Sequence, residues 1–251
     1  MSEYFKESFE KTRIAGSIAS RALNEVSRII KPGISTKVID KLCYEFINDH
    51  DAYSAPLYYR GFPKSCCTST NHIVCHGIPS NKILKEGDIV NVDVTALKNG
   101  WHGDTSRMFE IGKIPIKSKK LIETTYEAMM KAISILKEGV HLGDIGSAIQ
   151  EHVESNGFSV VTDFCGHGIG KSFHQMPNIL HYGKKGTGDK IQAGMIFTIE
   201  PMINIGNSET KVLNDGWTAV TKDKSLSAQF EHTVGITKDG YEIFTQSKKS
   251  S

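Results

Sequence analysis

No apolar run in this chain approaches the ~20 residues that a bilayer core requires, which excludes a helical membrane span. A basic leader is missing as well, because the opening MSEYFKESFEKTRIAG carries Glu3, Glu7 and Glu10 where a signal or transit peptide is basic. Cysteine is scarce: Cys43, Cys66, Cys67, Cys75 and Cys165 are odd in number, include an adjacent pair and contain no C-x-x-C spacing. That pattern excludes a disulfide framework and a thiolate zinc site, and it fits reduced thiols in a cytoplasmic protein. Excess charge is lacking too, with 30 basic against 28 acidic side chains and a net charge of +2. The short lysine runs at Lys117, Lys119, Lys120 and at Lys248, Lys249 read as solvated surface, so neither a nucleic acid nor a membrane is an expected stable partner.

What the chain does have is length for a sizeable core, with 251 residues of which 39% are hydrophobic, and an internal repeat. Residues 29–50, IIKPGISTKVIDKLCYEFINDH, align without gaps to residues 135–156, ILKEGVHLGDIGSAIQEHVESN. Further on, LKEGDIVNVDV at 84–94 aligns to IQAGMIFTIEP at 191–201, and this match superposes Asp93 on Glu200. The expected architecture is a single α+β domain over residues 1–251, with repeat units at about 8–115 and about 118–245. Each unit is a helix pair followed by antiparallel strands. A pseudo-twofold axis relates the units, and acids sit at their junction.

Periodicity and breakers set the helices. Phe9, Ile14, Ile18, Leu23 and Val26 recur at helical spacing until Lys31-Pro32-Gly33, where proline and glycine end the helix. Ser35 or Thr36 can cap the next one, to about Asn48, and the second unit predicts helices near 118–137 and 142–156.

The chemistry lies in charges placed where burial is costly. Asp93 ends Ile89-Val90-Asn91-Val92, Glu200 ends Met195-Ile196-Phe197-Thr198-Ile199, and Glu231 stands between Ala228-Gln229-Phe230 and His232-Thr233-Val234-Gly235-Ile236. A carboxylate in such a strand needs a cation or hydrogen-bond donors to offset desolvation. Asn99-Gly100 is the strongest short hairpin signal, a two-residue type I′ turn, which sets Lys98 opposite Trp101. By that register Asp104 faces Thr95 and Asp93 faces Ser106. Asp93 and Asp104 then share one sheet face as diagonal neighbours ~7–8 Å apart, close enough to repel unless protonated or metal-bound.

His167 lies in CGHGIGKSFHQMP, where Gly166, Gly168 and Gly170 let the backbone bend close to a ligand. A phosphate loop is excluded, because its motif needs four residues between the glycines and Gly166 and Gly170 enclose only three. Oxygen-rich ligation with one histidine and no cysteine suits hard or borderline divalent ions such as Mn, Fe, Co or Zn.

With these residues in place, CHGIP (75–79), NVDV (91–94), HGDTSRMF (102–109), CGHGIG (165–170) with FHQMP (173–177), TIEPM (198–202) and QFEHT (229–233) together resemble the type I methionine aminopeptidases of bacteria. The match runs in order along nearly the whole chain. The resemblance implies the pita-bread fold and a two-metal hydrolase that removes the N-terminal methionine of nascent proteins when the second residue is small and uncharged. It implies that Asp93 chelates one metal, that Asp104 and Glu231 bridge both, and that His167 and Glu200 complete the other. Glu200 is then the expected proton acceptor, and His76 and His174 hydrogen-bond the scissile peptide. Tyr59, Phe62, Cys67, His76, Phe173 and Trp217 line the methionine pocket, with Pro56 and Phe62 standing where the family commonly has Cys and Tyr. A monovalent cation is implied near Asn71, Ile73 and Ser227. The implied partners are nascent polypeptide N-termini and a transiently contacted ribosome, and the implied state is a monomer.

Two alternatives remain open at this point: a related pita-bread X-Pro aminopeptidase, and a metal-free binding module. The pairing of Asp93 with Glu200 and of Asp104 with Glu231 leaves His167 as the symmetry-breaking ligand, which predicts one all-carboxylate and one histidine-containing metal site. Met1 is followed by Ser2, so the mature chain is expected to begin at Ser2.

Overall fold

The computed structural model describes residues 3–246, so the expected Met1–Ser2 cleavage point lies outside the described residues. Helix α1 (Glu3–Ile29) and α2 (Thr36–Asn48) precede strands β1 (Tyr53–Ser54), β2 (Cys67–Thr70), β3 (Ile73–Cys75), β4 (Ile89–Lys98) and β5 (Trp101–Glu110). Then come α3 (Ile116–Ser134), α4 (Leu142–Ser155), β6 (Ser159–Val160), β7 (Gly166–Gly168), β8 (Gln175–Ile179), β9 (Ile196–Ile199) and β10 (Met202–Asn204). The chain closes with β11 (Thr210–Val212), β12 (Ala219–Thr221), β13 (Ser227–Gln229), β14 (Glu231–Ile236) and β15 (Tyr241–Ile243).

Each helix pair covers part of one antiparallel sheet. Ile18, Ala22, Leu23 and Val26 of α1 and Ile39, Cys43 and Ile47 of α2 bury a helical stripe against Val90, Val92, Val94 and Ala96 of β4. Leu121, Met129 and Ile133 of α3 and Ile145, Ile149 and Val153 of α4 do the same against Phe197, Ile199, Val234 and Ile236 of β9 and β14. Ile14 does not join the stripe as its spacing predicts: it is 40% exposed, while Ala15 beside it is buried. Ser35 sits at the N-cap of α2 without a capping hydrogen bond from its side chain. The hydroxyl of Thr36 instead donates to the Ser80 carbonyl at 3.1 Å and accepts the Ser80 N–H at 2.9 Å, tying the helix start to the loop after β3.

The large sheet runs β1-β4-β5-β14-β9-β7-β8, with β2 also on β4 and β15 also on β14. The Asp93 and Asp104 strands on one side therefore meet the Glu231 and Glu200 strands on the other in mirrored order. Asn99 and Gly100 both take positive φ, 53° and 77°, and the hairpin pairs Lys98 with Trp101, Thr95 with Asp104 and Asp93 with Ser106, as the type I′ turn predicts. Asp93 does not end its strand. It sits in the middle of β4, where it pairs Cys67 on one side and Ser106 on the other, and Ser106 in turn pairs Glu231. One register row thus carries two carboxylates across β4, β5 and β14.

Two glycines permit the close packing that seats the site. Gly103 presses β5 against the backbone of α1 at Gly16, and Gly166 presses β7 against the Thr198 carbonyl of β9. A side chain at Gly103 would push α1 off the strand that holds Asp104, and one at Gly166 would push β7, with His167, away from β9.

Candidate active site

All twelve side chains singled out for metal, catalytic or substrate contact line one cavity of about 380 Å³. Its floor is built by neighbouring strands: Asp93 from β4, Asp104 from β5, Glu231 from β14, Glu200 just past β9 and His167 from β7. Asp104, His167, Glu200 and Glu231 are buried, at 4%, 8%, 9% and 2% exposure.

Burial is the first cause of every shifted proton affinity on this floor. It pushes Asp93 up to about 7, against a hydrogen bond from the Cys67 thiol, and Glu200 up to about 8, against one from Thr198. Asp104 and Glu231 are raised well above the carboxylate range, first by burial and then by the neighbouring carboxylates. His167 goes the other way, held down at about 4 by burial. It is therefore a neutral imidazole at pH 7, the form that ligates a metal.

The geometry fits a divalent cation. His167 Nδ1 lies 3.1 Å from the Gly168 carbonyl and donates to it, which leaves the lone pair of Nε2 facing the acids. Nε2 is 3.7 Å from Asp104 Oδ2 and 3.6 Å from Glu200 Oε1, too long for hydrogen bonds and short enough to share one ion. One ligand atom each from Asp104, His167 and Glu231 lie within 4.8 Å of one another. Asp93 Oδ1 and Glu231 Oε1 are buried without a hydrogen-bond partner among the described residues, as suits oxygens that would ligate a cation.

The acids are held from behind by neutral donors that the sequence reading did not single out. Thr95 donates to Asp104 Oδ1 at 2.7 Å, Thr198 to Glu200 Oε1 at 2.7 Å, and Gln229 Nε2 to Glu200 Oε2 at 3.3 Å. Thr233 accepts the Asp104 N–H and donates back to its carbonyl. Thr95 was within reach of the sequence, since the Asn99-Gly100 register already sets it opposite Asp104. Thr198 and Gln229 carry no such signal, although both stand inside acid-bearing motifs.

Above the floor the wall is apolar and aromatic. Phe62 is buried and meets Trp217 edge-on at 5.2 Å, and Trp217 meets His76 edge-on at 6.1 Å. His76 itself takes a left-handed φ of 55°, a conformation that costs a non-glycine residue energy and is retained where side-chain direction matters. His174 stands at the mouth, its ring 4.1 Å from that of His167, with Nδ1 3.1 Å from the Tyr59 hydroxyl. Partial burial and then His167 hold its proton affinity low, so it too is neutral. Pro56, Arg60, Thr95, Asp163, Phe164, Cys165 and Met202 complete the lining, and all but Pro56 were outside the expected set. Asn71 and Ser227 also meet, the Asn71 carbonyl accepting the Ser227 N–H at 2.9 Å, and the Ser227 hydroxyl is buried without a partner among the described residues.

The description "Metallopeptidase family M24" matches residues 10–238 of the chain. The methionine aminopeptidase of Rickettsia prowazekii is 56% identical over 245 residues, covering 97% of this chain and 95% of the relative. The chain belongs to the methionine aminopeptidases of metallopeptidase family M24. The solved structure of the Rickettsia prowazekii methionine aminopeptidase superposes with a TM-score of 0.95 at 55% identity, covering 96% of this chain and 98% of that one. The α+β architecture is accordingly the pita-bread fold of that family. The prolidase from Pyrococcus furiosus shares the fold more distantly, with a TM-score of 0.78 at 23% identity over 97% of this chain and 65% of its own. The methionine aminopeptidase likeness extends over nearly the full length of both chains, whereas the prolidase has a third of its length outside the match.

Proposed function

We propose that the cavity binds the free N-terminus of a polypeptide, takes its first side chain into the aromatic pocket and hydrolyses the first peptide bond. The chain is a metal-dependent enzyme that removes N-terminal methionine, in line with its family and with relatives named methionine aminopeptidase. The observation that carries this reading is three buried carboxylates, the half-buried Asp93 and one neutral imidazole at the base of a pocket walled by Phe62, Trp217, Tyr59 and Phe173. An apolar pocket with a closed end suits a flexible thioether, and Pro56 and Phe62 keep that wall apolar where the family commonly has Cys and Tyr.

Asp93, Asp104, His167, Glu200 and Glu231 would hold two divalent ions, drawn from Co, Mn, Fe or Zn, with Asp104 and Glu231 shared between them. Bound there, the ions supply Lewis-acid activation of water and of the scissile carbonyl. Glu200 accepts the proton of the attacking water and passes it to the leaving amine; burial raises its proton affinity in the metal-free protein, the direction a proton acceptor needs. His76 and His174 hydrogen-bond the scissile peptide from the pocket side and steady the oxygen on which charge develops. A second residue larger than a small uncharged one would crowd the mouth beside Tyr59 and His174. A monovalent cation near Asn71, Ile73 and Ser227 would satisfy the unpartnered Ser227 hydroxyl. We place the enzyme in the cytoplasm as a monomer that meets nascent chains through transient contact with the ribosome. In support, no helix among the described residues is long and apolar enough to cross a membrane.

Side-by-side assay of a Met-Ala-Ser peptide and an X-Pro peptide tests the substrate. Release of methionine with no X-Pro cleavage supports the reading, and preferential X-Pro cleavage would reverse it. Replacing His76 or His174 by alanine is expected to lower kcat about 10²-fold with a smaller change in KM, because the lost donors act on developing charge. Equal loss in KM alone would make these histidines substrate-binding groups only.

A further inference from the structure

His181 takes no part in the cavity and is fully buried, yet its ring meets the backbone of the residue on which the chemistry turns. Its Nε2 accepts the N–H of Glu200 at 3.2 Å. Strand β9 ends at Ile199, so the Glu200 N–H has left the sheet ladder and needs a partner from elsewhere. A backbone N–H donates only to an unprotonated ring nitrogen, which fixes this imidazole as neutral with its proton on Nδ1. Nδ1 is buried and has no partner among the described residues, so the hydrogen bond to Glu200 is the single polar contact that explains a histidine at this place.

The segment carrying His181 is itself clamped to α4. Gly146 lies directly against the Tyr182 backbone, the Gly183 N–H donates to Gln150 Oε1 at 3.1 Å, and the Gly186 N–H donates to Asp144 Oδ1 at 2.7 Å. Thr198 and Gln229 hold the two carboxylate oxygens of Glu200, while His181 holds its main chain. Pro201 follows and restricts Glu200 to extended backbone, so the ring adds a second restraint at this exit from the sheet.

We infer that His181 is a positioning residue that transmits the placement of α4 to Glu200 through the Glu200 N–H. The inference rests on the role proposed for Glu200. His181→Leu keeps the volume and removes the acceptor, whereas His181→Gln can present an amide oxygen near the site of Nε2. His181→Leu is expected to weaken Mn(II) binding, read by calorimetry, about tenfold and to lower kcat about tenfold with KM within about twofold, the scale on which residues supporting metal ligands act. His181→Gln is expected to restore both to within about threefold. The inference is overturned if His181→Leu binds Mn(II) and turns over like the parent, or if both variants lose activity only in step with a lowered Tm. Glu200→Gln run in parallel separates the two ideas: a fully active Glu200→Gln removes the role of Glu200, whereas an inactive one beside a normal His181→Leu removes only that of His181.

Discussion

Glu200→Gln is expected to lower kcat on a Met-Ala-Ser peptide by about 10²–10⁴-fold while leaving the fold intact, the range in which removal of a general base falls. The reason is the double demand on this side chain. Glu200 sits at the edge of the cavity floor, 3.6 Å from His167 Nε2, with Thr198 and Gln229 fixing its two oxygens. Burial raises the proton affinity of its carboxyl in the metal-free protein, the direction that favours a proton acceptor. Glutamine preserves the size and one acceptor oxygen but cannot take a proton. The substitution should therefore depress kcat far more than KM, measured by steady-state release of methionine, with Tm by scanning calorimetry as the control. A variant within about threefold of the parent would move the proton acceptor to another group.

The metal-free protein is expected to lose stability as pH rises from about 6.5 to about 8, and divalent metal is expected to abolish that loss. The folded protein holds protons on Asp93 up to about 7 and on Glu200 up to about 8, with Asp104 and Glu231 raised in the same direction, whereas the unfolded chain releases them near 4. A folded carboxyl affinity raised in this way contributes stability that is complete below about 4 and lost as pH climbs through the folded value. Below about 6.5 the effect is opposed. His167, His181 and His232, held near 4, 3 and 4 by burial, must stay neutral in the fold while the unfolded chain takes up protons, so acid destabilises. The two trends cross, and the carboxyls act alone above about 6.5. If even ~2 kcal/mol of this linkage is realised, Tm of the metal-free protein falls on the order of 5 °C across that window. Cations replace the protons, so binding at pH 7 should also release protons into weakly buffered solution. A metal-free melting profile flat between pH 6.5 and 8 would mean that the acids are not protonated in the fold.

The parts of this fold that were legible in the sequence are those set by local rules. Asn99-Gly100 admits one tight turn, and that turn sets the register that brings Asp93 and Asp104 to one face. Pro32 and Gly33 end α1 where such residues must. The glycines around His167 foretold close backbone approach, and Gly166 makes it against β9. Ile14 was misplaced because helical spacing identifies a stripe without its edges, and small alanines at Ala15, Ala19 and Ala22 pack better against the sheet than a branched chain. Ser35 takes the N-cap position without a side-chain hydrogen bond, while Thr36 finds a tertiary partner in Ser80, a contact 44 positions away in sequence. The supports of the site were hidden for the same reason. Thr198, Gln229 and His181 are ordinary polar residues until folding aims each at Glu200, and only Thr95 lay on a register the turn had already fixed.

The most direct measurement of the central claim is metal content and methionine release followed together, on a Met-Ala-Ser peptide, through chelation and stepwise add-back of Mn(II) or Co(II). Activity is expected to vanish with the metal, to return on add-back, and not to return in an Asp104→Asn, Glu231→Gln double variant that keeps its fold. Full activity in the chelated, metal-free protein would contradict it.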